Sequence, residues 1–182
     1  MRHTSFRTMQ CPIARSLERV GEWWSILILR DAFLGATRFE QFQNSLAIAP
    51  TSLTRRLNAL VESGLLERRR YQDRPPRDEY LLTERGRDFR PVLWSLLAWG
   101  NRHFAPEGPS VVLIEEATGT VAEPVLVDGN TLRQMTGATF RSAPGPAAND
   151  ETRRRHAGAI GKPQTAITTT TDPRRDPCPV AF

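Results

Sequence analysis

Between Ile48 and Leu82 the chain runs IAPTSLTRRLNALVESGLLERRRYQDRPPRDEYLL, and its polar residues are of the types that contact nucleic acid. Thr51, Arg55, Asn58 and Glu62 recur at spacings of three and four, with Ser52 and Thr54 on their flanks. On a helix that spacing gathers hydroxyls, an amide and a guanidinium on one outward face. These groups donate and accept in the patterns that read base edges and phosphates in a major groove. Arg56 lies nearer the apolar boundary of the same helix. Its stem should be partly buried and its head should reach a phosphate or an internal carboxylate. Arg68, Arg69, Arg70, Arg74 and Arg77 follow closely and outnumber Glu67, Asp73 and Asp78 among them. An arginine-rich ribbon beside such a helix is suited to tracking a sugar-phosphate chain or entering a minor groove. A plain surface helix with a polar face is the better reading of the helix taken alone, because every amphipathic helix has such a face.

Cys11 is the other residue with chemistry to offer. A thiol at a helix start feels the positive end of the dipole, an environment that raises the reactivity of a thiol where it is exposed. The alternative is a small packing residue at a helix start. Constellations for catalysis are missing. His3, His103 and His156 are scattered, and there is neither a glycine-rich phosphate loop nor an HExxH pattern. Glu115 and Glu116 are adjacent, so on a strand they face opposite ways. No enzyme, cofactor or metal is expected.

The elements that must carry these residues follow from periodicity. Pro50 suits the first helical turn and Gly64 the left-handed stop, and between them Leu53, Leu57, Leu60 and Val61 form one apolar stripe. Before this helix, Pro12 to Val20 predicts a short helix closed by Gly21, and Glu22 to Leu34 a helix apolar on nearly every side, hence central and buried. Thr37 and Glu40 are spaced as a capping box for a third helix bearing Phe39, Phe42 and Leu46. Ser45 to Ala49 then makes the tight turn of a helix-turn-helix. After Gly64 the period changes to two, predicting strands around Leu66 to Tyr71 and Tyr80 to Leu82. Asp73-Arg74-Pro75-Pro76 is too proline-rich for a two-residue turn, so a longer, stiffened loop is expected at the tip. Thr83 caps a last helix with Phe89, Val92, Leu93, Leu96, Leu97 and Phe104 at spacings of three and four, which Pro91 should kink or restart. Trp94 and Trp99 add more apolar surface than one core needs, and that surplus suggests a dimer seam.

Composition agrees with a polyanionic partner. The chain has 182 residues and a formal charge of +5. Cys11 to Phe104 holds 15 Arg against 11 acidic residues, while the remainder beyond Ala105 is close to neutral. The longest apolar run, WWSILIL, is far short of a membrane span, and the N-terminus lacks the apolar core of a signal peptide. Two cysteines at opposite ends, Cys11 and Cys178, suggest a reducing compartment. A cytoplasmic protein with no membrane partner is therefore expected. The predicted fold class is mainly α with a small β wing: a winged helix-turn-helix domain at 11–104, preceded by a flexible arm at 1–10. A small β-rich extension at 105–140 should follow, with strands over Ser110 to Ile114 and Pro124 to Val127. The Pro-, Gly-, Ala- and Thr-rich remainder at 141–182 is expected to be a disordered tail.

Three segments together resemble the HxlR family of winged-helix transcriptional regulators, related to the MarR type. They are CPIARSLERVGEWWSILILRDAFLGATRFEQFQ, IAPTSLTRRLNALVESGLLERRRY and RPPRDEYLLTERGRDFRPVLWSLLAWG. The resemblance implies a sequence-specific regulator, a homodimer joined through its first and last helices that binds double-stranded DNA at a pseudo-palindromic operator and represses or activates transcription there, with a repressor expected. It implies DNA contacts by Thr51, Ser52, Thr54, Arg55 and Arg56 in the helix and by Arg70, Arg74 and Arg77 in the wing. It also implies that Cys11 sits where some relatives carry a thiol sensor, so a thiol-reactive compound or another small-molecule effector is expected. Some long relatives carry cysteine pairs in the extension. Here Thr118, Thr120 and Asp128 stand in those places, and no zinc site is expected. The open alternative is a winged helix used only as a protein-interaction module.

Overall fold

A computed structural model describes residues 6, 9–137 and 139–157. Most of the expected N-terminal arm and the tail beyond residue 157, with Cys178, lie outside the described residues. Two compact units divide at residue 125.

In the first unit, α1 (Pro12–Val20), α2 (Trp23–Phe33), α3 (Phe39–Leu46) and α4 (Pro50–Glu62) precede a hairpin of β1 (Leu66–Asp73) and β2 (Pro76–Leu82). Two further helices follow, α5 (Glu84–Arg87) and α6 (Arg90–Phe104). The core gathers around α2: Ile28, Leu29, Phe42, Leu53, Leu57 and Leu60 have no solvent exposure, and Val20, Ile48, Leu65, Leu66 and Tyr80 close around them. Helix α2 is central, as its all-round apolar sequence predicts, yet Trp23 at its start is 73% exposed. Pro91 restarts the last helix, as expected: α5 stops at Arg87 and α6 begins afresh at Arg90.

Two local expectations are corrected. The cap of α3 falls one residue later than the Thr37/Glu40 pattern suggests. Gln41 Oε1 accepts from the backbone N–H of Arg38 at 2.8 Å and of Thr37 at 2.9 Å, so the glutamine supplies the reciprocal bond. The wing tip is also tighter than expected. Asp73 pairs with Pro76, leaving Arg74 and Pro75 as a two-residue connection with a cis peptide between them, a geometry that type VI turns accommodate.

The joint between α4 and the wing is closed by three residues. Gly64 adopts φ +68° and Leu65 N–H reaches back to the Leu60 carbonyl at 3.0 Å, a Schellman ending. The Thr83 hydroxyl donates to the Gly64 carbonyl at 2.6 Å and accepts from Gly86 N–H at 3.0 Å, so one side chain ties the helix end to α5. Gly86 is required there, since a Cβ would collide with the Leu65 carbonyl.

Beyond α6, β3 (Leu113–Ile114) pairs with β4 (Val121–Ala122). The second strand therefore precedes the β-branched run Pro124 to Val127 that sequence favoured. A turn explains the register: Gly119 at φ +71° and Thr118, hydrogen-bonded to Glu115, close the loop early. In the second unit Val127 bridges Gln134 around a turn in which Asp128 accepts from Thr131 at 2.5 Å. These bonds to Thr131 and Asn130 hold the Asp128 carboxyl below its ordinary pKa. Within the stretch expected to be disordered, Asp150–Ala157 forms a helix, α7. Asn149 accepts from Thr152 N–H at 2.9 Å, acidic residues fill the first turn, basic residues fill the last, and Arg155 pairs with Glu151 at 2.9 Å. Caps and charges aligned with the dipole can support one short helix where composition alone argues against any.

Candidate nucleic-acid interface

The polar face of α4 is built from its apolar one. Leu53, Leu57 and Leu60 are fully buried, and on the opposite side Thr51, Thr54, Arg55, Asn58 and Glu62 are exposed. Ser52 is half-buried on the flank. Thr54 Oγ1 donates back to the Pro50 carbonyl at 2.9 Å, which leaves its oxygen lone pairs outward. Arg55 makes no hydrogen bond or ion pair among the described residues. The helix is entered through Ala47, in the left-handed region at φ 48°, which turns the chain sharply between α3 and α4.

Arg56 is placed differently from the other α4 residues. Its Nη2 lies 2.8 Å from Glu22 Oε2, at the start of α2, and its side chain is only 16% exposed. Its buried Nε has no partner among the described residues. Of the two destinations expected for this guanidinium, the structure shows the internal carboxylate.

The wing divides its arginines by partner. Arg69 is bound to Glu79 at 2.8 Å and Arg70 to Asp78 at 3.2 Å, with Arg68 4.0 Å from Asp78. Arg68 also lies opposite Tyr80, whose phenol is pushed up in pKa by burial, against the opposing pull of Arg68. Arg74 at the tip and Arg77 on β2 are exposed, and no ion pair among the described residues holds either guanidinium. The structure thus brings Thr51, Thr54, Arg55, Asn58, Arg74 and Arg77 to solvent, holds Arg70 in an exposed pair, and turns Arg56 inward.

Sequence reading missed one contact. The Arg38 guanidinium lies 4.6 Å from the centre of the Tyr71 ring. Tyr71 occupies a bulge, where the register passes from Arg70↔Asp78 to Gln72↔Arg77 and skips it. Strict alternation cannot reveal a bulge, which adds a residue to one strand without changing its composition.

Two further features bear on assembly and regulation. Helix α6 has no buried residue along its 15 positions. Val92, Trp94, Leu96, Trp99 and Phe104 are 41–66% exposed on it, and Ile13, Leu17 and Trp23 add exposed apolar surface on α1 and α2. Trp99 and Phe104 stack edge-on at 4.8 Å. Cys11 is a half-buried free thiol at the N-cap of α1. Among the described residues no helix is long and apolar enough to cross a membrane, and no group of His, Cys, Asp or Glu is placed to hold a metal ion.

Comparison with known proteins gives these surfaces a context. The model of the HxlR-like helix-turn-helix family matches residues 19–108. Over 135 residues the chain is 41% identical to an uncharacterised HTH-type transcriptional regulator of Mycobacterium bovis, spanning 74% of this chain and 85% of that protein. A candidate transcription factor from Pseudomonas aeruginosa, solved by structure determination, shares 53% identity at a TM-score of 0.59 over 80% of this chain and 99% of its own. A second solved candidate transcription factor shares 35% identity at a TM-score of 0.70 over 78% of this chain and 100% of its own.

The Glu22–Arg56 pair makes a testable demand. Glu22→Ala leaves a largely buried guanidinium without its carboxylate and should lower stability by about 1–3 kcal/mol, between the cost of breaking an exposed pair and that of breaking a buried one. Denaturant unfolding should show a reduced midpoint with an unchanged slope.

Proposed function

This chain belongs to the HxlR-like helix-turn-helix family and is a DNA-binding transcriptional regulator; on that premise we propose that it acts in the cytoplasm as a homodimeric repressor at a pseudo-palindromic operator. The observation that carries this reading is that consecutive elements each expose arginines held by no ion pair among the described residues: Arg55 on the α4 face with Thr51, Thr54, Asn58 and Glu62, and Arg74 and Arg77 on the wing. The helix face is assigned base reading, with Ser52 at its edge, and the wing is assigned the phosphates or minor groove. Arg70, in an exposed pair with Asp78, is assigned a phosphate that replaces the carboxylate on binding. Arg56 serves by holding α4 to α2.

Dimerisation is supported by α6. A 15-residue helix carrying two tryptophans and no buried position has apolar surface that a second copy of α6, with α1, can cover. Two-fold pairing then places two α4 helices for two half-sites. In this reading residues 11–104 form the DNA-binding and dimerisation domain, and the extension and tail lie outside it. Cys11 at the positive end of α1, one of the helices assigned to the seam, gives thiol-reactive compounds a route to the dimer.

Arg55→Ala should weaken operator binding roughly 5–150-fold, the equivalent of about 1–3 kcal/mol, and relax base preference at one position of each half-site. Arg74→Ala or Arg77→Ala should weaken all duplex DNA alike and flatten the dependence of log affinity on log salt by about one. Titrations at several salt concentrations separate the two classes, and salt-independent binding would contradict a phosphate-tracking wing. Alkylation of Cys11 should lower operator affinity. An alkylated protein that binds as tightly as before would remove the sensor from this account.

A further inference from the structure

The wing is held to the body unevenly. Its inner half is anchored in the core through Leu66 and Tyr80, and its edge is extended by Thr37 and Arg38, since Tyr80 N–H donates to the Thr37 carbonyl at 2.7 Å and Arg38 bridges Glu79. The outer half, residues 72–77, carries both unpartnered arginines. Its bonds are internal to it: Gln72 pairs with Arg77, Asp73 with Pro76, and Gln72 Nε2 donates to the Arg74 carbonyl at 2.9 Å. Among the described residues, no hydrogen bond or ion pair joins 72–77 to a helix.

Between the halves stands the bulge at Tyr71. A bulge bends the strand and increases its twist, so the direction of everything beyond it depends on how the bulged residue is held. Tyr71 is held by Arg38, which sits at the N-cap of α3 with its own N–H fixed by Gln41. A cation over an aromatic face is attracted by the ring quadrupole. No ion pair among the described residues competes for the Arg38 guanidinium.

We propose that Arg38 and Tyr71 are positioning residues: the Arg38–Tyr71 stack sets the angle of the outer wing relative to the helix-turn-helix, and with it the distance between the bases read by α4 and the backbone met by Arg74 and Arg77. The proposal rests on the DNA-reading role of the wing for its consequence, but its structural part can be tested without DNA. The relevant group on Tyr71 is the ring face, and the phenol oxygen is dispensable.

The experiment measures amide hydrogen exchange in the free, full-length protein and operator binding by the same variants. Arg38→Ala and Tyr71→Leu should each speed exchange at the amides of Gln72, Asp73, Arg74 and Arg77 by roughly threefold, the scale of one exposed cation–π contact, while Leu66 to Arg69 keep their protection. Tyr71→Phe should match the wild type in both measurements. In operator binding, Arg77→Ala should cost less affinity in the Arg38→Ala background than in the wild type, because a misdirected wing has less to lose. Unchanged exchange at 72–77 in both Arg38→Ala and Tyr71→Leu would overturn the proposal, as would a Tyr71→Phe variant that behaves like Tyr71→Leu. Strictly additive Arg38 and Arg77 losses would also overturn it, assigning Arg38 a DNA contact of its own. If exchange responds as stated but Arg77→Ala costs nothing in the wild type, the stack does position the outer wing and the wing's DNA role is what fails.

Discussion

The burial of one leucine stripe governs what the rest of the molecule presents. Leu53, Leu57 and Leu60 have no exposed surface and pack into the same core as Ile28, Leu29 and Phe42. Burying each such side chain is worth about 1.5–3 kcal/mol. Rotating α4 by one residue, about 100°, would expose all three and cost roughly 5–9 kcal/mol, as much as the whole stability of many domains. The outward set of Thr51, Thr54, Arg55 and Asn58 is therefore locked by groups that never touch a ligand. The joint at Gly64, Thr83 and Gly86 extends the same constraint to the wing, because the end of α4, the start of β1 and the start of α5 share hydrogen bonds.

Electrostatics sorts the arginines by how readily each can change partner. Exposed pairs such as Arg70–Asp78 contribute about 0–1 kcal/mol, less than a charge-assisted bond to phosphate offers, so Arg70 is free to exchange its carboxylate. Arg56 is not, because its guanidinium is largely desolvated beside Glu22 and would be left unpaired on leaving. Arg55, Arg74 and Arg77 have nothing to give up. Binding energy should concentrate on these three, with the hydroxyls of α4 supplying direction more than strength.

Much of this architecture is legible in the sequence, and the exceptions have physical causes. Pro50, Gly64 and the leucine spacing define α4, and Pro91 marks the restart of α6, since these residues act through local backbone rules. The cap of α3 is read one residue early because Thr37–Glu40 and Arg38–Gln41 both have the three-residue spacing, and only the folded chain shows which side chain folds back. The tip differs from the longer loop expected because two residues, Arg74 and Pro75, suffice to join Asp73 to its partner Pro76. For the candidate site, type and spacing find the exposed residues of α4 and the wing. They do not find the partners of Arg56 or Arg38, which lie on other elements, Glu22 at the start of α2 and Tyr71 at a strand bulge.

Symmetry is the remaining step from a folded chain to a reader of operators. One α4 covers only a few base pairs, and in the proposed dimer the exposed apolar surface of α1 and α6 brings in a second. The most direct measurement is selection of bound duplexes from a random pool by the full-length protein. The account predicts an enriched pseudo-palindrome whose half-sites are centred about 10–10.5 base pairs, or a multiple, apart. An enriched single asymmetric site, or no enrichment above the pool, would contradict it.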